Sequence, residues 1–153
     1  LKKSALIEAI RKELKARLEL LARAAMDAHA AATDPGSKAE GKYDTRSLEA
    51  SYLAAGQARQ VDELAEAVRI FDSFAPPDFG MEDSIEMGAL VEMEMSAEIS
   101  TVLLAPTAGG MIVRDGGLEI TLVTPASPIY QKLTGMRAGD SAGDGGLLVL
   151  EVG

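Results

Sequence analysis

Residues 127–140 read SPIYQKLTGMRAGD, and the punctuation of this stretch decides where a helix starts and stops. Ser127 can cap a helix. Pro128 suits the first helical position, where its missing N–H is not needed, and Gly135 can end the helix in a left-handed conformation. The spacing predicts a short helix over residues 128–134, after which Gly139-Asp140 turns the chain toward a last strand. Upstream, the period is two. Residues 88–95 (GALVEMEM) alternate apolar and acidic side chains, as an exposed strand does, and residues 99–104 continue the pattern. Gly109-Gly110 turns into residues 111–114, and Asp115-Gly116-Gly117 is a hairpin signal leading to residues 118–124. Residues 140–146, rich in Gly and Asp, read as a flexible hairpin tip before a strand at residues 147–152. The sum is an α+β unit: an antiparallel sheet of four or five strands with one short helix on a face.

Further upstream the period becomes helical. Ile7, Ile10, Leu14, Leu18, Leu21, Ala25 and Ala28 mark one face of a helix over residues 4–33. Leu48, Tyr52, Ala54, Val61, Leu64, Val68 and Phe71 mark another over residues 44–74. Asp34-Pro35-Gly36-Ser37 stops the first helix, and Pro76-Pro77 the second. Two helices of about 30 residues joined by a short loop favour an antiparallel hairpin, each arm roughly 45 Å long. Large apolar residues crowd its open end and alanines its closed end, so the far end is slim and buries little area. The expected division is a coiled-coil arm over residues 1–75 and a β-rich domain over residues 76–153.

Of the 153 residues, 47% are apolar, enough to supply a core, and only 4% are aromatic. No run approaches the ~20 apolar residues of a membrane-spanning helix, and no secretory signal pattern is visible. The absence of Cys excludes disulfides and thiolate metal sites and fits a reducing, cytoplasmic setting. The net charge is −9 and unevenly placed: residues 1–75 carry twelve basic and twelve acidic side chains, residues 76–153 three basic and twelve acidic. A nucleic-acid binder needs a basic stripe. The C-terminal half is the reverse, so its expected partner is a basic protein surface.

The C-terminal pattern resembles that of the bacterial Gre transcript cleavage and elongation factors. Gly88 and Val91 match the opening Gly-x-x-Val of that family's C-terminal domain. Ser127, Pro128, Ile129, Leu133, Gly135, Gly139 and Asp140 match its later run without a gap. Tyr43-Asp44 followed by Leu48, Glu49, Ala50 and Tyr52 is similar to the start of the family's second helix. The resemblance covers nearly the whole chain. It implies an FKBP-like fold for the C-terminal domain, and binding to bacterial RNA polymerase at its secondary channel. Ser127, Pro128, Ile129, Gly135 and Asp140 are then docking candidates. It also implies that acidic residues at the hairpin tip share a Mg²⁺ ion with the polymerase active site, which hydrolyses the 3′ end of backtracked RNA. The factor itself holds no cofactor and is not an enzyme.

At the tip the chain departs from the family. It reads TDPGSKAEGKYD, and the family's two acidic positions fall on Gly36 and Ala39. Glu40, Asp34 and Asp44 are the remaining candidates for Mg²⁺ coordination, although Asp44 also suits the N-cap of the second helix. Two regulatory readings stay open: stimulation of cleavage, and a modulator or inhibitor without stimulation. A self-associating helical module is a third reading. A prolyl isomerase is a fourth, but it needs an aromatic-lined pocket, and only Phe79 and Tyr130 are aromatic beyond residue 77. His29, the single histidine, cannot build a metal site alone. Met81, Met87, Met93, Met95 and Met111 lie at strand spacing and read mostly as core.

Overall fold

A computed structural model describes residues 2–33, 46–143 and 146–153. Two long helices, α1 (Lys3–Thr33) and α2 (Arg46–Ser73), precede the strands β1 (Leu90–Met95), β2 (Glu98–Leu104), β3 (Ile112–Asp115) and β4 (Leu118–Val123). A short helix, α3 (Pro128–Leu133), and β5 (Leu147–Val152) complete an α+β chain. It divides into two compact units, Arg11–Asp72 and the combination of Leu1–Ile10 with Ser73–Gly153. No helix among the described residues is long and apolar enough to cross a membrane.

In the helical unit, Leu14, Ala67 and Phe71 are buried, as the apolar stripes require. The Arg11 guanidinium donates to the Phe71 carbonyl at 2.7 Å, and Lys15 pairs with Asp72 at 3.3 Å. These contacts set the early part of one helix beside the end of the other, as an antiparallel pair requires. The Lys15–Asp72 pair is exposed and contributes at most ~1 kcal/mol.

The other unit is built on a five-stranded sheet of order β3-β4-β2-β1-β5. The sheet is mixed, which corrects the all-antiparallel expectation: β2 and β4 pair in parallel, with Leu103 beside Leu122. The reason is geometric. β3 and β4 do form the hairpin signalled by Asp115-Gly116-Gly117, with Gly116 and Gly117 both at positive φ. The chain between Leu104 and Ile112, however, does not turn back beside β2. It passes to the outer position, and β4 returns into the gap. Skipping one strand spans about 10 Å, which this connection covers easily at ~3.3 Å per residue.

One face of the sheet holds the main core. Val91, Met93, Val102, Leu104, Val123, Leu147 and Val149 cluster there with Ile85 and Leu133. Leu103, Ile120 and Leu122 point to the other face and are also fully buried. Of the methionines expected in the core only Met93 and Met111 are buried, whereas Met81, Met87 and Met95 are exposed. Met81 and Met87 precede the first strand, and Met95 sits at its solvated end, so strand spacing alone misassigned them.

The β1–β2 hairpin turns at Ser96 and Ala97, with φ of 53° and 65°. Both central residues are left-handed, as in the tight hairpin turn that favours Asn-Gly. Neither Ser nor Ala adopts this region without cost. Replacing the pair by Asn-Gly is therefore expected to raise stability by about 1 kcal/mol, read as a higher urea midpoint with an unchanged slope.

Lys3, the first residue of α1, is buried although it carries a charge. Its Nζ donates to the carbonyls of Pro77 at 2.5 Å and Gly88 at 2.8 Å, and lies 4.6 Å from the centre of the Phe79 ring. Burial holds this amine below the ordinary lysine value, opposed by the nearby Asp78 carboxylate. The unfolded chain therefore binds the proton more tightly than the folded one. Stability from this residue rises with pH between the lowered folded value and the unfolded value of about 10.4. In Lys3→Met the Gly88 carbonyl loses its partner, at a cost of about 1–3 kcal/mol. The gap between wild type and variant is expected to widen from pH 8 to pH 10 in urea unfolding.

Candidate functional site

The segment singled out in the sequence is a braced surface element. Ser127 N–H donates to the Thr124 carbonyl at 2.8 Å, closing the turn that leads into α3. Ser127 occupies the N-cap position with extended backbone, and Pro128 follows at the first helical position. The Ser127 hydroxyl makes no cap hydrogen bond. The start of the helix is held instead by the Gln131 side-chain amide, which donates to the Pro125 carbonyl at 3.1 Å. At the other end, the Thr134 hydroxyl donates to the Tyr130 carbonyl at 2.8 Å, and Gly135 turns the chain with φ of 87°.

Beyond the helix, backbone bonds stitch the segment to two neighbours. Gly135 N–H donates to the Ile85 carbonyl at 2.9 Å, and Ile85 N–H to the Met136 carbonyl at 2.8 Å. Gly139 N–H reaches the Val149 carbonyl at 2.8 Å, and Val149 N–H the Asp140 carbonyl at 2.9 Å. The Asp140 carboxylate accepts from the Arg137 N–H at 2.9 Å, holding the last turn closed. Ser141 then bridges to Leu148, and Ala142 N–H donates to the Leu147 carbonyl at 2.8 Å, as the expected hairpin before β5 requires; Asp144 and Gly145 lie outside the described residues.

This bracing sorts the side chains. Leu133 is fully buried, and Ile129, Tyr130 and Met136 pack against the core cluster. Burial pushes the Tyr130 phenol above its usual value. Pro128, Gln131, Lys132, Gly135 and Asp140 are exposed, while Ser127 and Ile129 are half-covered. The five docking candidates therefore lie along one continuous segment. Asp140 is committed to a turn, and Gly135 contributes backbone conformation rather than a side chain. Gln131 and Lys132 share the exposed surface, and the sequence reading did not single them out. Their exposure follows from Ile129, Tyr130 and Leu133 turning inward, which the 3.6-residue period could have indicated. An open groove at the helix end, between Lys132, Thr134, Met136, Asp140 and Ser141, borders the same surface.

The tip candidates Asp34, Glu40 and Asp44 lie outside the described residues. Among the described residues no group of three or more His, Cys, Asp or Glu side chains could hold a metal ion.

No family model matches the sequence, and no curated protein matches it. Solved structures do show similarity. A structure of GreA factor homolog 1 (Gfh1) from Thermus thermophilus is 21% identical, covering 94% of each chain, with a TM-score of 0.37. A second structure, of the transcription factor Gfh1, has the same identity and TM-score and covers 94% of this chain and 90% of that one. Gfh1 from Thermus aquaticus is 20% identical over 95% of this chain and 94% of its own, with a TM-score of 0.38.

Proposed function

We propose that this chain is a transcription regulator that binds bacterial RNA polymerase at its secondary channel and modulates cleavage of backtracked RNA. It has no catalytic centre of its own. The observation that carries this reading is the ungapped match of residues 127–140 to the Gre pattern, on a segment that presents Pro128 and its neighbours to solvent. Two further features support it. The acidic C-terminal half suits a basic protein surface better than nucleic acid, and the long paired helices provide an arm. The absence of acids at Gly36 and Ala39 favours the version that binds without stimulating cleavage.

The test has two stages. Pull-down with bacterial RNA polymerase core reads binding, and RNA cleavage in a backtracked complex reads activity. Pro128→Asp is expected to weaken binding at least about tenfold without lowering the thermal midpoint, because an acidic residue suits the first helical turn. No binding by the wild-type chain would end the proposal. Glu40→Ala is expected to change activity more than Asp44→Ala, and null effects of both would leave the tip without a metal role.

A further inference from the structure

On the sheet face turned away from α3, strand register sets two rows of side chains side by side. In one, Glu92 stands between Thr101 on β2 and Glu151 on β5. In the next, Glu94 stands between Ile99 on β2 and Leu148 on β5. Thr101 pairs with Ile120 in the parallel ladder, and Ile99 and Leu118, each two residues earlier on its strand, belong to the same face. Ile99 is 66% exposed and Leu118 40%, large values for residues on the middle strands of a sheet. The nearest cation by register, Arg114, is held by Glu119 at 2.8 Å on the opposite face.

Two physical facts make this strip unusual. Glu92 and Glu151 are like charges directly across a strand pair, an arrangement that destabilises a sheet. Beside them, the aliphatic side chains of Ile99 and Leu118 face water, although Thr101, Leu103, Ile120 and Leu122 on the same face are buried. Both costs vanish if something apolar and basic covers the strip. β1 is paired there on both sides, with β2 and with β5, so the occupant packs through side chains and does not add a strand. From Leu118 to Leu148 the row crosses three inter-strand spacings, about 14 Å, which is roughly two and a half turns of α-helix.

We propose that this strip docks a basic amphipathic helix of a partner protein. Apolar residues of that helix sit on Leu118, Ile99 and Leu148, and its Lys or Arg side chains face Glu92, Glu94 and Glu151. The site lies on the opposite face of the sheet from the α3 segment and stands on register and exposure, independently of the polymerase reading.

The test titrates the isotope-labelled full chain with a 14-residue Leu/Lys amphipathic helical peptide, and with a scrambled peptide of the same composition. The expected result is amide shifts centred on Glu92, Glu94, Ile99 and Leu118, with at least about tenfold weaker binding of the scrambled peptide. In the double variant Glu92→Gln, Glu94→Gln the affinity is expected to fall about tenfold while the thermal midpoint stays level or rises, since the like-charge pair is gone. Ile99→Ser, at an exposed position, is expected to weaken binding without unfolding. Shifts centred on α3, equal binding of the scrambled peptide, or unchanged affinity in the variants would overturn the proposal. So would sedimentation showing a dimer that Ile99→Ser dissociates, which would assign the strip to a second copy of the chain.

Discussion

Gly88→Ala is expected to lower stability by about 3 kcal/mol, a shift in thermal midpoint of roughly 6–12 °C for a chain of this size. Two independent costs add. Gly88 sits at φ of 96°, and a side chain there carries a conformational penalty of about 1–2 kcal/mol. A Cβ at this position would also stand 2.4 Å from the Cβ of Pro76. That atom belongs to a ring and cannot swing away, so backbone must shift, at about 1–3 kcal/mol. The shift would be felt by the bonds Gly88 makes: its N–H donates to the Leu104 carbonyl at 2.7 Å, and its carbonyl accepts from Lys3. Gly110→Ala is the matched control. It has a similar φ of 88° and open space around the added methyl, so it should lose only the conformational part. Equal losses in the two variants, measured by urea unfolding, would show that the Pro76 contact is relieved at no cost.

Leu133→Ala is expected to cost about 2–5 kcal/mol and to weaken polymerase binding beyond what the stability loss explains. α3 has six residues, too few to be helical by itself. Its only buried residue is Leu133, which joins Ile85, Val91, Val102 and Val149 in the core cluster. Truncation removes the anchor of the helix and opens a cavity beneath it. The Ser127–Pro128 end should then lose its fixed direction. Protection of the Gln131 and Thr134 amides from hydrogen exchange is expected to fall before that of the β1 amides. If both fall together, α3 is not separately anchored. If polymerase binding survives in the folded fraction, the segment is not the docking element.

Much of the fold was written locally. Pro128 and Gly135 mark the ends of α3 because each acts through its own backbone. Asp115-Gly116-Gly117 marks the β3–β4 hairpin for the same reason. Residues 147–152 form the last strand, as expected. The Ser96-Ala97 turn was not legible, because the two residues adopt left-handed conformations that their own preferences oppose. It exists because β1 and β2 pair along their whole length on either side. Residues 127–140 were legible as a motif, and the 3.6-residue period of α3 carries the division into inward and exposed side chains, but the backbone bonds that brace the segment to Ile85 and Val149 were not legible.

Sequence alone determined the elements, the change from helical to strand period near residue 76, and the acidic character of the C-terminal half. These depend on neighbours a few residues apart or on composition. Tertiary structure alone decided that β4 enters between β3 and β2, that Lys3 is buried against Phe79 and two carbonyls, and that Glu92 faces Glu151. Each of these joins groups far apart along the chain. Their partners are chosen by the packing of the whole unit, and no local preference encodes that choice.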